Sequence, residues 1–246
     1  MKQLVCYFLL LPGILFAQEQ KDRIEIEGGF VGTQNMEIHG YNQSNATSNW
    51  TKSGPIFRLE YWRLNKEGWN YGLAYQPLSL KYEDKLKSNL NYKGKVFQSG
   101  DTAVLDYQFP TLRLSANTSV FKGDDLSEMR LGGSGVIRYA RVALTSSSQS
   151  ITDTNLIVIP LINIEYQKPI NDEYSFYTRS DFLPGIDGNI FLDGLYDIFA
   201  GVRKKLQHDT SVDVGVRLFF GGYDPKKADD YANRIFFKAV VVKYSF

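Results

Sequence analysis

Phe236-Phe237-Lys238-Ala239-Val240-Val241-Val242-Lys243-Tyr244-Ser245-Phe246 is the stretch whose reading decides the fold. Side chains of an extended chain alternate between two faces, so Phe236, Val240, Val242, Tyr244 and Phe246 share one face while Lys243 points to the other. A period-two strand whose apolar face runs to a terminal aromatic residue has the form of the closing strand of a bacterial outer-membrane β-barrel. Val240, Val242, Tyr244 and Phe246 are accordingly expected to face lipid and to form the strand that the barrel-insertion machinery reads.

The opposite end agrees. Lys2 supplies a basic start, an apolar run follows from Leu4 to Phe16, and the small residue Ala17 precedes Gln18. This is the pattern of a secretory signal peptide, expected over residues 1–17, with the barrel over 18–246. The apolar run is interrupted by Pro12 and Gly13 and falls short of the roughly 20 residues a helix needs to cross a bilayer. Cys6, the one cysteine, lies inside the signal, so neither disulfides nor cysteine-ligated metals are expected in the mature chain. The chain has 28 Lys plus Arg against 27 Asp plus Glu, which gives no electrostatic case for nucleic acid as a partner. Tyr and Phe, 16 of each, are abundant enough to supply aromatic girdles at two membrane interfaces.

Alternating apolar and polar residues predict about ten strands, at 23–34, 54–64, 69–81, 101–121, 129–145, 155–167, 173–183, 189–204, 210–222 and 234–246. Connections at 35–53, 82–100, 146–154 and 223–233 read as long, with a tight link at 184–188. Those at 65–68, 122–128, 168–172 and 206–209 read as short. An all-β, transmembrane, antiparallel up-and-down barrel has short turns at one end, longer loops at the other, and an even strand number that brings both termini together. Ten strands meet all three conditions. Eight strands follow if two weak ones merge, and twelve if residues 82–100 form a hairpin through Lys93-Gly94. In 101–121, Leu105, Tyr107 and Phe109 share a parity, whereas beyond Pro110 the apolar parity moves to Leu112, Leu114 and Ala116. Because proline cannot donate to a ladder, this change reads as a β-bulge at Pro110.

The polar faces then point into the lumen. They carry the acids Glu25, Glu27, Glu60, Asp106, Glu165, Asp181, Asp193, Asp197 and Asp213, and the bases Arg58, Arg113, Arg130, Arg138, Arg179, Arg203, Arg217 and Lys243. Arginine's planar fork suits carboxylates in a narrow interior, and ten strands are fewer than the 16 to 18 that leave porins a channel. The expectation is a lumen largely closed by ion pairs. Asp181, Asp193 and Asp197 read as a cluster near the outer mouth; their spacing matches no calcium loop, and neither metal nor cofactor is expected.

Only two histidines exist, His39 in the first outer loop and His208 in a short turn. The sequence has no Asp-x-His pair near an outer strand end and no His-x-Ser, so catalysis is not expected, although His39 with Glu37 would form a base. Residues 41–53 are rich in Asn and Ser around Tyr41 and Trp50, and read as a solvated polar loop. Lys238, on the apolar face, with Lys226 and Lys227 in the last loop, is placed to meet lipopolysaccharide phosphates.

The second half resembles an uncharacterised family of outer-membrane β-barrel proteins of Gram-negative bacteria. The likeness rests on Val96-Phe97-Gln98-Ser99-Gly100-Asp101 leading into Leu105-Asp106-Tyr107-Gln108-Phe109, on Ile159-Pro160-Leu161, on Ser180-Asp181-Phe182-Leu183, on Val216-Arg217 to Gly221-Gly222, and on Asp229-Asp230-Tyr231-Ala232-Asn233. It departs from the family pattern where Tyr223 to Lys227 intervenes and at Arg234. The resemblance implies a barrel in the outer membrane and no particular activity. The leading expectation is a structural, interaction or narrow-permeation barrel whose partners are outer-membrane lipid, lipopolysaccharide and the insertion machinery. A barrel enzyme acting on lipid A or peptides comes second, and a soluble lipocalin-like carrier third.

Overall fold

In the computed structural model the described residues are 20–40, 50–51, 54–65, 68–185, 194–223 and 231–246. The expected signal peptide lies outside them. The strands are β1 (Gln20–Gly40), β2 (Trp50–Thr51), β3 (Gly54–Asn65), β4 (Trp69–Gln76), β5 (Ser79–Lys85), β6 (Leu90–Tyr92), β7 (Lys95–Phe97), β8 (Thr102–Gln108), β9 (Thr111–Lys122), β10 (Glu128–Thr145), β11 (Ser150–Pro169), β12 (Tyr174–Leu183), β13 (Leu195–Lys205), β14 (Ser211–Tyr223) and β15 (Tyr231–Ser245).

Antiparallel pairing runs β1–β3–β4–β9–β10–β11–β12–β13–β14–β15, and β15 pairs back to β1 from Glu25↔Ser245 onward. The result is a closed ten-stranded antiparallel barrel, which leaves none of these strands as a free edge at the level where all ten pair. At one end lie both described chain ends and the connections after β3, β9, β11 and β13; this is called the turn end, and the opposite one the loop end. The hairpin foreseen through Lys93-Gly94 does form, as β6–β7, with positive φ at Lys93 (49°) and Gly94 (76°). It makes a separate two-stranded sheet, so the barrel stays at ten strands.

Outward residues of the membrane-facing wall are apolar and exposed: Phe57, Leu59 and Tyr61 on β3, Leu73 and Tyr75 on β4, Val214 and Val216 on β14, and Val240, Val242, Tyr244 and Phe246 at the chain end. The interval from Phe236 to Phe246 is roughly 25 Å tall once strand tilt is allowed for, the height of the apolar band of such barrels. Register places an aromatic row near its loop-end border, Phe182↔Tyr196↔Phe220↔Phe236, in which Tyr196 stacks on Phe220 at 4.5 Å. Tyr244 and Phe246, 5.6 Å apart, mark the other border.

Four expectations are corrected. First, there is no bulge at Pro110. Residues 108 and 111 pair with 141 and 138 in unbroken register, and 108 and 111 pair with 79 and 76 likewise. Pro77 stands opposite Pro110, so the ladder lacks donors there while the strands run straight on through Phe109 N–H donating to Leu78 O at 2.7 Å. Odd residues face inward on both sides of Pro110; what changes is the solvent. Below it, outward Leu112 and Leu114 are exposed and inward Arg113 and Ser115 are buried. Above it, inward Leu105, Tyr107 and Phe109 are buried, and Asp106 turns outward. Second, β10 and β11 extend to Thr145 and Ser150, so the connection there is a four-residue turn closed by Ser146 N–H donating to Gln149 O at 2.7 Å. Third, β13 as described begins at Leu195, with a bend at Gly194 where strand was expected, and residues 186–193, on which the expected tight link and strand start fall in part, lie outside the described residues. Fourth, β1 continues to Gly40, which puts His39 in a strand opposite Ala232. Residues 41–49 and 224–230, with Lys226 and Lys227, lie outside the described residues.

Candidate functional site: the interior of the barrel

The interior has two layers. On the turn side it is charged: Glu25 and Glu27 from β1, Arg58 and Glu60 from β3, Arg113 from β9, Glu165 from β11, Arg179 and Asp181 from β12, Asp197 and Arg203 from β13, Asp213 and Arg217 from β14, and Lys243 from β15 are all buried. Each belongs to the inward parity of its strand, which is why period-two reading found them.

Asp197 is the hub. Its carboxylate accepts from Arg58 at 2.9 Å and Arg113 at 2.6 Å, and it pairs with Arg217 as well. Arg217 also forks onto Glu27, donating at 2.7 and 2.6 Å, and Arg203 forks onto Asp213 at 2.8 and 2.9 Å. Arg179 donates to Glu60 at 2.7 Å and Asp181 at 3.2 Å, and lies 3.7 Å from Glu165. Arg113 reaches Asp181 at 2.5 Å, Arg58 pairs with its neighbour Glu60, and Lys243 joins Glu25 (3.2 Å) to Asp213 (2.8 Å). Two-pronged arginine pairs of this kind are the strong members of the hydrogen-bond family. Rings cushion the cations: Arg203 sits over Tyr177 at 4.0 Å, Lys243 over the same ring at 4.5 Å, and Arg179 over Trp62 at 4.8 Å. Trp62 covers Gly72 so closely that an added Cβ would stand 2.8 Å from its ring.

On the loop side the inward residues of the same strands become apolar. Val31 follows Glu27, Ile56 precedes Arg58, Phe219 follows Arg217, Val241 precedes Lys243, and Leu161 precedes Asn163; all are buried in one cluster with Leu105, Tyr107 and Phe109. The β6–β7 hairpin adds Leu90, Tyr92 and Phe97, each fully buried. It is fastened to the β10–β11 tip by Lys93 Nζ donating to Asp153 at 2.5 Å, Lys95 Nζ to Ser150 O at 2.9 Å, and Gln149 Nε2 to Val96 O at 2.6 Å. At the border of the two layers, among Gln76, Phe109, Arg113, Val136 and Phe219, a gap of about 10 Å³ holds no more than a single water.

Two sequence-predicted lumen residues, Asp106 and Arg138, lie elsewhere than in the charge layer. Asp106 faces outward and pairs with Arg141 at 3.5 Å, because the strand keeps its parity through Pro110. Arg138 is inward but lies in the apolar layer, its guanidinium 3.9 Å above the Phe109 ring. Asp193 lies outside the described residues. Asp181 and Asp197 are directly opposed in register, and they sit at mid-barrel beneath the apolar layer, away from the outer mouth. Arg130, expected inward, is half-buried at the turn-end mouth, where it pairs with Glu128 at 3.0 Å and reaches the buried Glu165 at 4.0 Å.

Alternation puts Asn163 on the polar face of its strand with Glu165, but sequence reading missed Asn70 and Asn117 and the uncharged chain that the three form. Asn65 N–H donates to Asn70 Oδ1 (2.8 Å), Asn70 to Asn117 (3.0 Å), Asn117 to Asn163 (2.9 Å) and Asn163 to Asp181 (2.8 Å). Ser134 also donates to Asp181, at 2.6 Å. The signal was available, since Asn70, Asn117 and Asn163 have the inward parity of their strands. Outside the membrane, in the β9–β10 turn, the Ser127 hydroxyl and amide hold the Asp125 carboxyl below the usual aspartate range.

No family model matches the sequence, and no curated protein does. The resemblance noted from Val96 onward therefore stays one of short motifs, which the fold places on β7, β8, β11, β12, β14 and β15. Among solved structures, similar folds include OmpT, the outer membrane protease of Escherichia coli, at 10% identity over 95% of this chain and 99% of that chain with a TM-score of 0.46. Ail of Yersinia pestis is matched at 10% identity over 92% and 99%, TM-score 0.39, and Neisserial surface protein A at 11% over 93% and 100%, TM-score 0.37. These are outer-membrane β-barrel proteins of Gram-negative bacteria.

Proposed function

We propose that this chain is a non-catalytic barrel of the Gram-negative outer membrane that conducts no solute of appreciable size and holds a sheet-built head outside the bilayer. The turn end, with both termini, is its periplasmic end, as the short turns of such barrels are. The observation that carries the reading is the apolar layer stacked on the charge layer. A permeation path needs continuous room or continuous polar groups, and here buried apolar side chains from eight of the ten barrel strands join one cluster, with a gap of about 10 Å³ among the described residues where it meets the charge layer. Ten strands make a narrow interior to begin with.

Above Pro77 and Pro110 the wall has the polarity of a soluble protein, apolar inward and polar outward. Lys81, Asp106 and Arg141 face away from the buried Leu80, Leu105 and Val142. That inversion supports a wall that rises out of the membrane and presents a surface to other molecules. Lys238, exposed on the lipid face near the loop-end border, is the residue of the described set best placed for lipopolysaccharide phosphates. Val240, Val242, Tyr244 and Phe246 are the strand face offered to the insertion machinery. The test is electrical: protein reconstituted in planar bilayers is expected to give no stable conductance steps of porin size, and reproducible steps of that size would overturn the reading.

A further inference from the structure

The turn-end mouth of the barrel is not closed like its middle. A cavity of about 290 Å³ opens there, with Asn70 as its floor and Ser119, Phe121, Lys122, Glu128 and Arg130 around it. A β-bulge builds this mouth. Arg130 stands opposite Ser119, Met129 opposite Phe121 and Glu128 opposite Lys122, so Val120 is the extra residue, and Ser119 and Lys122 both take the inward side although they are three positions apart. Bulges re-aim side chains in this way.

We infer that this mouth is a binding site for the hydroxyl groups of an uncharged saccharide. The orientation of the Asn70 amide is fixed by its neighbours: its oxygen accepts from Asn65 N–H and its nitrogen donates to Asn117. From there every amide donates inward, through Asn163 to the Asp181 carboxylate. A chain of donors ending on an anion polarises each member, so the amide oxygen at its open end becomes a stronger acceptor. A carbonyl oxygen has two lone pairs, and the Asn65 amide uses one of those on Asn70. The floor of the cavity therefore calls for a donor.

The rim offers both kinds of group. Arg130 and Lys122 donate and Glu128 accepts, and Arg130 is already paired with Glu128 at 3.0 Å. Hydroxyls donate and accept at once and match this mixture; a phosphate, mainly an acceptor, would meet the Asn70 oxygen and Glu128 unfavourably. The volume lies at the lower end of small-molecule sites and suits one or two rings.

The test titrates N-acetylglucosamine and its β-1,4-linked disaccharide into the protein folded in detergent micelles. The readout is the side-chain amide signals of Asn70, Asn117 and Asn163 by NMR, and inorganic phosphate is titrated in parallel. Saturable shifts at Asn70 that continue to Asn117 and Asn163 are expected. Asn70→Ala should weaken binding about tenfold, the loss of one good hydrogen bond to the ligand. Ser119→Phe fills the mouth, leaves the amide chain in place, and should abolish binding even if the first variant folds poorly. No saccharide binding, binding unchanged in Ser119→Phe, or tighter binding of phosphate would each overturn the assignment.

Discussion

Asp197 shows what a single residue does in this interior. Three guanidinium groups, Arg58, Arg113 and Arg217, converge on a carboxylate that is almost completely buried. Removing one partner of a buried ion pair leaves the other charge desolvated and uncompensated, which costs about 3–5 kcal/mol, whereas the intact pair is worth far less than that against a well-packed apolar substitute. Asp197→Ala is therefore expected to lower the stability of the folded barrel by about 3–5 kcal/mol in urea titrations followed by gel mobility. Asp106→Asn is the natural comparison. Its carboxylate is partly exposed on the outer surface and 3.5 Å from Arg141, so the change should stay within about 0.5 kcal/mol. An equal loss in both variants would mean that the two carboxylates share one environment. Period-two parity is a local property of the chain, which is why Asp197 was legible from sequence. The facing of Asp106 was not, because the side on which a parity lies depends on the distant strands that enclose it.

At the level of elements, the wall formed by β4–β5, β8–β9, β10 and β11 crosses from one solvent to another without changing register. Sequence reading took the switch of apolar parity at Pro110 as a change of geometry, since in a single solvent an apolar face that moves from odd to even residues requires an extra residue. The paired residues 76/111 and 79/108 exclude one. Here the exposed apolar outward face of these strands reaches Tyr75, Leu112 and Tyr139, and beyond Pro110 the inward side, with Leu105, Tyr107 and Phe109, is the apolar one. Labelling checks this directly, because the expected mature chain has no cysteine of its own. In a loop-end labelling experiment on folded protein, Asp106→Cys should react with a membrane-impermeant maleimide and Tyr107→Cys should not. The reverse pattern would restore the bulge. The β6–β7 hairpin was also legible, from Lys93-Gly94, because a two-residue turn with positive φ at both positions favours glycine. Its burial over the barrel was not, since that depends on contacts with Asp153 and Ser150, more than fifty residues away along the chain.

For the whole molecule the governing fact is closure. Every strand pairs on both sides within the membrane, so backbone donors and acceptors are satisfied where no water is present to do it. Such a barrel should migrate faster on gels before boiling than after it and should need detergent to stay monodisperse; a detergent-free monomer with heat-independent mobility would contradict the membrane assignment. The sequence by itself determined an antiparallel barrel of about ten strands, with eight and twelve left open, the outward apolar face ending at Phe246, and thirteen of the charges that are buried in the interior, because each follows from alternation along one segment. Tertiary structure alone decided which of those charges meet, that Asn70, Asn117 and Asn163 join them in one donor chain, and that an apolar layer seals the loop side. Those outcomes depend on how ten separate alternations are staggered around a closed sheet. Stagger is a relation between strands, and no single strand encodes it.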